Sequence, residues 1–512
     1  MMESRFKNSI RNLSWGVVNK MVTLLLPFVT RTIVLYLLGA KFLGIGTLFS
    51  SVLNFLSLAE LGLNSAIVYI MYKPIAENDY ETISALLNYY RKLYRVIGTV
   101  ILVIGTAILP FIPYLIKGDV PEGLNVYSVY YLFLLNSVIS YFFAGYKQSL
   151  LTAYQRQDII TNIATLSNVA LQVFQILLLY LTESYYVYAI VPIPITICVN
   201  ILNAIITKRK FPEIKPCGMI SQELKKNIHK RLSGLFGTKL NSIVVHSADT
   251  VVISAFLGLT LTAQYGNYYM LFNAVHGFVI VIYTSLAASI GNKLAVDSIE
   301  KNYHLFKHLS FLNAWIVCFC CTCFLCLYEP FMKIWVGEEL CLGIIFVILF
   351  CLYFFVFDIQ RTILVFKDAA GLWHIDKIRP YISMLVNLVS NLILVQFIGI
   401  YGIVVSSILS FLISVPWVNK VLFDHLFHKK PGKNLLSILI YFAATVLIGA
   451  STYAICSLCH DGFLGLVERL IVCVFCSNAF FVLLFIRSDS FKYWKKVLLD
   501  FVNRKLRKSH GN

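Results

Sequence analysis

Residues 231–258 read RLSGLFGTKLNSIVVHSADTVVISAFLG, and they can be laid without gaps over residues 12–39, which read NLSWGVVNKMVTLLLPFVTRTIVLYLLG. Both stretches lead into a short turn, LGLTLTAQYG at 257–266 and LGAKFLGIG at 38–46, and then into a long apolar segment. The identical pairs are Leu13/Leu232, Ser14/Ser233, Lys20/Lys239, Leu38/Leu257 and Gly39/Gly258. Such self-similarity at a large spacing indicates an internal structural repeat.

The composition indicates a polytopic membrane protein. Hydrophobic residues make up 59% of the 512-residue chain, charged residues only 13%, and the mean hydropathy is +0.77. A soluble domain is roughly a quarter charged, whereas a helix that crosses a bilayer needs about 20 mostly apolar residues. We therefore predict an all-α polytopic membrane protein with about fourteen transmembrane helices. Their approximate spans are 15–38, 45–72, 94–116, 124–146, 160–181, 185–207, 234–257, 266–290, 308–328, 341–364, 379–397, 401–421, 435–458 and 464–486.

The repeat predicts the domain organisation. Its two copies begin six helices apart and therefore have the same membrane orientation, as in transporters built from parallel repeats. We predict two pseudo-symmetric six-helix lobes followed by two extra helices. The boundaries are 1–207 for the N-terminal lobe, 208–231 for a basic cytoplasmic linker, 232–421 for the C-terminal lobe, and 422–512 for the extra helices with a basic tail.

The positions of lysine and arginine predict the orientation of the chain. With the N-terminus in the cytoplasm, the inner segments hold 36 of these residues and the outer loops hold only Lys41, Lys117 and Lys333. Positive residues accumulate on the cytoplasmic side, so both termini are expected there. The net charge of +18 is mostly this bias, which leaves a nucleic-acid partner without support. The first apolar segment lacks a cleavage site and is interpreted as a retained span.

Two helices related by the repeat each carry a polar stripe. At 100° per residue, Lys239, His246 and Asp249 fall within an arc of about 80° on the seventh helix. On the first helix, an arc of about 120° contains Asn12, Gly16, Asn19, Lys20, Thr23, Pro27, Thr30 and Arg31. Ionisable residues inside a membrane almost always face a bundle interior or a water-filled cavity. We therefore expect both stripes to face a cavity between the lobes.

Other interpretations of these charges stay open. Lys20 and Lys239 lie near the cytoplasmic ends of their helices, where they are also compatible with simple snorkelling. His246 and Asp249 have the i, i+3 spacing of residues that bond each other and fix helix packing. Glu60, in SLAELGLNSAIVY at 57–69, is a further deep carboxylate on the second helix.

Three more ionisable residues are interpreted structurally. His276, in FNAVHGFVI, is interpreted as a packing histidine with its hydrogen bonds satisfied. Asp358 and Arg361 are spaced i and i+3 and are predicted to pair with each other near the end of the tenth helix.

The thirteen cysteines include the run CFCCTCFLC at 318–326. A metal or redox site needs thiolates, which an apolar helix disfavours, and the run contains no His or carboxylate. We interpret these cysteines as small buried apolar residues and predict no metal and no cofactor.

Three stretches of the chain carry a resemblance to a known family. They are RTIVLYLLGAKFLGIGTLF at 31–49, AELGLNSAIVYIMYKPIAEND at 59–79, and SADTVVISAFLGLTLTAQYGNYY at 247–269. With fourteen spans in two lobes, the chain resembles polysaccharide repeat-unit flippases of the Wzx type, which supply O-antigen or capsule synthesis. These belong to the multidrug/oligosaccharidyl-lipid/polysaccharide (MOP) flippase superfamily.

The resemblance implies a transporter, not an enzyme, in the bacterial inner (plasma) membrane. Such proteins move an undecaprenyl-diphosphate-linked oligosaccharide from the cytoplasmic to the outer leaflet, alternating between inward- and outward-facing states at the expense of an ion gradient. On this basis Arg31, Lys20 and Lys239 are candidates to bind the diphosphate or acidic sugars. Asp249, Glu60 and His246 are candidates for proton or sodium coupling. Membrane lipids, a polysaccharide polymerase and other assembly proteins are the expected partners.

Two other transporter classes and one enzyme class are alternatives to this function. A lipid II flippase and a multidrug-cation exporter of the same superfamily share the general plan. A membrane glycan polymerase, ligase or glycosyltransferase usually needs a sizeable outer loop with catalytic residues, and here the outer loops at 117–127 and 328–340 are short. The sequence also lacks the P-loop pattern of proteins that use ATP directly. Transport is therefore favoured over catalysis.

Overall fold

The computed structural model describes residues 25–60 and 62–509 of the chain. The side chains at 59, 227, 229–239, 241, 242, 246, 288 and 501–509 lie outside that description. All regular secondary structure in the described residues is helical. The predicted all-α class is confirmed.

Nine helices lie in the described residues between 25 and 257. They are α1 Leu25–Leu38, α2 Ala40–Leu56, α3 Leu63–Ala76, α4 Tyr80–Leu115, α5 Val126–Phe142, α6 Gln148–Ala153, α7 Gln157–Thr182, α8 Tyr185–Lys210 and α9 Gln222–Leu257.

Eight more helices follow in the described part of the chain. They are α10 Leu259–Val296, α11 Ile299–Val336, α12 Ile344–Ala369, α13 Arg379–Ile398, α14 Ile400–Phe427, α15 Gly432–Cys456, α16 Gly462–Phe485 and α17 Asp489–Ser509.

The described helices agree in position with twelve of the fourteen predicted spans. Ten are long and apolar enough to cross a membrane, and an eleventh span results if α5 and the bent segment Gly145–Ala153 are counted together. Three shorter apolar helices are Leu25–Leu38, Ala40–Leu56 and Ile243–Leu257. The predicted second span, 45–72, is wrong as one continuous helix, because the 3-10 turn Ser57–Glu60 interrupts it and divides it between α2 and α3. The first predicted span, 15–38, is described only from residue 25. The number of apolar helices makes the chain a multi-pass membrane protein.

The predicted linker is mostly helical at its C-terminal end. Between α8 and α9 only residues 211–221 are non-helical, whereas the sequence predicted a linker over 208–231. The Ser221 hydroxyl accepts a hydrogen bond from the backbone N–H of Leu224 at 3.2 Å, and Glu223 lies in the first turn. This serine cap and the acidic residue favour a helix start at this point. The seventh span is therefore the second part of a single 36-residue helix.

The two glycines at the end of the repeat have the same backbone conformation. Gly39 has φ 97° and ψ 172°, and Gly258 has φ 96° and ψ 177°. A side chain is disfavoured at such positive φ values, which accounts for glycine at both places. Each is the single residue between two helices, and each N–H bonds back to carbonyl oxygens of the preceding turn. The sequence repeat is thus also a repeat of local structure.

The chain divides into two compact units, Met1–Gly266 and Asn267–Asn512. In the first unit, α9 packs against α2 and α3. In the second, α11 packs against α12 and α15, and α13 packs closely against α14. The lobe boundaries drawn from the repeat stay a prediction.

The contact between α13 and α14 includes several polar side-chain pairs. Ser383 and Ser410 hydroxyls lie 2.7 Å apart, and the Asn387 amide donates to the Ser407 hydroxyl at 3.1 Å. Small and polar residues are typical of helix contacts in membranes, because they allow close approach and bond across the interface.

Candidate functional site

Arg31 lies on α1 and reaches the start of α10. Its Nη2 donates to the carbonyl oxygen of Ala263 at 3.1 Å, and the rings of Tyr185 and Tyr188 on α8 lie beside the guanidinium. A Cβ added to Gly266 would lie 2.7 Å from Nη2, so glycine leaves the space that the guanidinium occupies. The predicted deep arginine is therefore held by a backbone carbonyl and surrounded by phenol groups.

Asp249 lies on α9 and is 1% exposed. Its Oδ2 accepts a hydrogen bond from the Tyr265 hydroxyl at 3.1 Å. Tyr265 is two residues from Ala263, the acceptor of the Arg31 bond. The structure thus brings a cation from α1 and a carboxylate from α9 to the same first turns of α10, within the first unit.

Glu60 ends a 3-10 turn after α2 and is held by two phenols. Tyr94 on α4 donates to Oε1 at 2.6 Å, and Tyr141 on α5 donates to Oε2 at 2.5 Å. The carboxyl group therefore accepts two hydrogen bonds from phenols on two different helices.

A polar cavity of about 310 Å³ adjoins this carboxylate through Tyr141. Its other polar lining residues are Ser50, Asn54, Ser57, Asn136 and Ser137. Hydroxyl and amide groups facing a cavity can coordinate water, a small cation or sugar hydroxyls. The first unit therefore contains a polar space next to one of its predicted coupling residues.

Three of the predicted site residues have no described side chain. Lys20 lies outside the described residues, and Lys239 and His246 lie on α9 with side chains outside the description. Whether they share the surroundings of Arg31 and Asp249, and whether His246 bonds Asp249, stay predictions.

The second unit contains a buried ionic network that the sequence analysis found only in part. Arg361 Nε donates to Asp358 Oδ1 at 2.9 Å, which confirms the predicted pair. His276 Nδ1 lies 3.0 Å from both oxygens of Asp358, and Arg361 Nη2 lies 3.0 Å from His276 Nε2. The amide of Asn313 donates to the backbone carbonyls of Asp358 and Ile359 at 2.9 and 3.0 Å.

The geometry of this network fixes the tautomer of His276. Arginine is only a donor, so Nε2 must accept from Arg361, and the ring proton is then on Nδ1 and points to Asp358. Asp358 is fully buried. His276 was interpreted as a packing histidine, and nothing in the sequence near it indicates an acidic partner 82 residues away. The sequence does show that His276 and Asp358 are each an ionisable residue in an apolar run, which indicates that each needs a partner inside the protein.

A second buried ionic cluster lies where α12 connects to α13. Asp376 Oδ2 accepts from Lys367 Nζ at 2.7 Å and from Arg379 Nη2 at 2.7 Å. Burial raises the pKa of the Asp376 carboxyl, but the bonds and positive charges of Arg379 and Lys367 outweigh it, so the pKa lies below its usual value. Arg379 also donates to the Ser414 hydroxyl at 2.8 Å, which ties this connection to α14.

Comparisons with known proteins agree on the fold. The chain matches no protein-family model and no curated protein. Its structure is similar to a lipid II flippase MurJ in an inward closed conformation, with a TM-score of 0.66 and 14% identity over 92% of this chain and 99% of that chain. It is also similar to an inward-facing multidrug resistance MATE transporter of the MOP superfamily, with a TM-score of 0.57 and 15% identity over 78% and 93% of the two chains.

A MATE transporter from Vibrio cholerae has the same likeness, with a TM-score of 0.53 and 13% identity over 83% of this chain and 99% of that chain. All three solved structures are named as flippases or transporters, not as enzymes. The chain therefore has the fold of the transporters and flippases of the MOP superfamily.

Proposed function

We propose that this protein is a Wzx-type flippase, which moves an undecaprenyl-diphosphate-linked oligosaccharide repeat unit from the cytoplasmic to the outer leaflet of the bacterial plasma membrane. The observation that carries the proposal is the position of Arg31, a cation in the apolar helix α1 that reaches α10 and lies beside the phenols of Tyr185 and Tyr188. The fold shared with a lipid II flippase supports transport of a lipid-linked glycan. The basic inner segments support cytoplasmic termini.

Arg31 is the proposed ligand of the diphosphate. In the structure its Nη2 binds a neutral backbone carbonyl, Ala263 O. A diphosphate oxygen is a stronger acceptor for guanidinium than a carbonyl, so exchange of one for the other is favourable. Lys20 and Lys239 are proposed to contribute further positive charge from the same two helices, because the sequence places them on the stripes that contain Arg31 and Asp249.

Asp249, Glu60 and His246 are the proposed coupling groups of the first unit. Asp249 bonds Tyr265, which follows the Arg31 acceptor by two residues on α10. A cation or proton that neutralises Asp249 would therefore act on the helix turn that also holds Arg31. Glu60, between Tyr94 and Tyr141 beside the polar cavity, is the second proposed site for a proton or sodium ion.

The network of His276 offers a proton site in the second unit. A second proton on this ring would sit on Nε2, facing the Arg361 guanidinium, and would break the bond between them. Tyr283 and Cys320 are further titratable groups close to Asp358. We therefore include His276 with Asp358 as a proton-coupling pair, in addition to the residues predicted from the sequence.

A lipid II flippase is the second candidate function, favoured by the likeness to MurJ. Both functions handle a polyprenyl diphosphate sugar and would use Arg31 in the same way. A polysaccharide polymerase and other assembly proteins would be partners under the first function.

The test is gene deletion with complementation in the host. Surface glycan and the leaflet position of lipid-linked repeat units would be measured in the deletion strain and after return of the wild-type gene. Loss of surface glycan with repeat units on the cytoplasmic side supports the repeat-unit flippase. Normal surface glycan with altered peptidoglycan precursor pools would indicate a lipid II flippase instead of a repeat-unit flippase. A change in drug susceptibility alone would indicate a multidrug exporter.

A further inference from the structure

Four cysteines from three helices meet inside the second unit. The Sγ atoms of Cys326 on α11, Cys456 at the end of α15 and Cys473 on α16 all lie within 4.8 Å of one another, and all three side chains are buried. Cys323 packs against the same group, and its side chain is within hydrogen-bonding contact of Cys473. We call these four residues the sulfur cluster.

The local structure of each helix aims these side chains at one point. Cys323 and Cys326 have the C-x2-C spacing, which places both thiols on one face of α11. Cys473 begins a π-helical turn, Cys473–Ser477, inside α16. Single π turns inside α-helices are rare and often occur at functional sites, because they re-aim one side chain. The run at 318–326 therefore divides into two cysteines that join the sulfur cluster and others that do not.

We propose that the sulfur cluster binds a single thiophilic d10 cation, Zn(II) or Cu(I), with Cys326, Cys456 and Cys473 as the thiolate core and Cys323 as the fourth donor. Soft thiolate ligands select such ions, and four cysteines are a common structural zinc set. Sulfur atoms at about 2.3 Å from a tetrahedral zinc ion lie about 3.8 Å from each other. The observed limit of 4.8 Å is within reach of this by small side-chain rotations.

The surroundings match the charge of such a site. With three thiolates and a neutral thiol from Cys323, the complex has a net charge of −1 for Zn(II) and −2 for Cu(I). Arg469 lies one turn before Cys473 on α16, donates from Nε to the Cys456 carbonyl oxygen at 3.3 Å, and brings one positive charge. Arg469 also lies 3.5 Å from the Asp461 carboxylate, so its charge is shared between that carboxylate and the neighbourhood of the thiolates. A nearby positive charge lowers the cost of burying a negative complex.

An entry route is also present in this unit. Cys326 and Cys456 line a cavity of about 430 Å³, together with the charged residues Glu329, Lys333, Asp461 and Arg469. The carboxylates of Glu329 and Asp461 can hold a hydrated cation on its way to the softer sulfur ligands. The alternative interpretation, cysteines as small apolar filler, accounts for burial but not for the convergence of four thiols beside a charged cavity.

The proposal departs from the sequence prediction of no metal, and it does not depend on the proposed transport function. The bound ion would join α15 and α16 to α11, so its chemical role is to fasten the two helices that follow the second repeat. An ion that binds the folded protein and not the unfolded chain stabilises the fold, and the stabilisation grows with the logarithm of the free ion concentration relative to Kd.

The test uses the full-length protein, purified in detergent under reducing conditions and freed of metal. Zn(II) and Cu(I) are titrated separately against competing chelators, and bound metal is measured by elemental analysis. We expect one ion per chain, a rise in thermal unfolding temperature, and a tetrahedral thiolate spectrum when Co(II) replaces Zn(II). Whichever of the two ions binds more tightly identifies the occupant.

Matched variants locate the site. Cys473→Ser and Cys326→Ser should abolish binding, whereas Cys320→Ser on the same helix should bind normally. Size-exclusion profiles confirm that each variant is folded, and Cys456→Ser provides a further site variant if one of the others fails to fold. The proposal is overturned if neither ion binds, if all variants bind equally, or if mass analysis finds a disulfide within the sulfur cluster of the protein as isolated.

Discussion

The guanidinium of Arg31 binds the carbonyl oxygen of Ala263 at 3.1 Å, although 232 positions separate these residues in the chain. The bond connects the first helix of one repeat to the second helix of the other. Because Tyr265 on the same turn holds Asp249, this turn of α10 contacts both deep charges of the first unit. A ligand that removes Arg31 from Ala263 therefore acts directly on the surroundings of Asp249.

The first prediction concerns Arg31→Ala. A hydrogen bond to a charged group contributes about 1.5–3 kcal/mol, so loss of the guanidinium should reduce export by about tenfold to a hundredfold. Arg31→Lys should retain part of the activity, since Lys keeps the charge but not the two-pronged geometry. Surface glycan in complemented cells is the measurement.

Arg156→Ala is the matched control for this prediction. Arg156 pairs with Asp158 at 2.8 Å on an exposed surface, and its loss should leave export unchanged. Full export by Arg31→Ala protein at equal abundance would remove Arg31 from the proposed site.

The second prediction concerns the space beside Arg31. Gly266→Ala places a methyl group 2.7 Å from Nη2, so the guanidinium must move away from Ala263. The colliding atom is the end of a flexible side chain, and we expect a folded protein with export lowered severalfold. Gly291→Ala, on the same helix and with nothing within 4 Å, is the control that should export normally. Equal export by the two variants would contradict the proposed position of Arg31.

The third prediction tests the network of His276. Asp358→Ala leaves Arg361 and His276 without their shared acceptor in a buried place, which costs about 3–5 kcal/mol. We expect a large fall in thermal stability in detergent, partly reversed in the double variant Asp358→Asn with Arg361→Gln, which has no unpaired charge. If Asp358→Ala were as stable as wild type, the network could not be a tightly paired ionic cluster.

The fourth prediction concerns acid stability and Asp376. Because the folded-state pKa of this carboxyl is lowered, its contribution is present above the unfolded value of about 3.9 and is lost as the pH falls through the lower folded value. Asp376→Asn should be less stable than wild type near neutral pH, because Lys367 and Arg379 lose their partner. The difference in unfolding temperature should shrink below a pH of about 4. A difference that stays constant with pH would show that the ionised carboxylate is not what stabilises this connection.

The sequence was sufficient to predict features that depend on local pattern. Apolar runs located the helices, and the i, i+3 spacing of Asp358 and Arg361 predicted their pairing, since both depend only on neighbouring residues. The start of α9 at Gln222 was missed, because the charge run of the linker concealed the cap at Ser221.

Contacts between distant helices were not predictable in this way. The pairing of His276 with Asp358 and the approach of Cys456 and Cys473 to Cys326 depend on how helices pack, which no spacing in a single sequence records. The acceptor of Arg31 is a backbone carbonyl, and a carbonyl is present at every residue, so no residue type could identify it.

The matched glycines of the repeat differ in what surrounds them. A Cβ at Gly39 would meet nothing within 4 Å, whereas a Cβ at Gly258 would lie 2.9 Å from the carbonyl oxygen of Lys117, whose own N–H bonds the Ser254 carbonyl oxygen at 3.0 Å. The two glycines have the same backbone conformation but differ in the space beside them. Among the described residues the space beside the Gly39 Cα is open, whereas the loop at Lys117 packs directly against Gly258. Of the two glycines related by the repeat, Gly258 is therefore the one whose movement requires the loop at Lys117 to move as well.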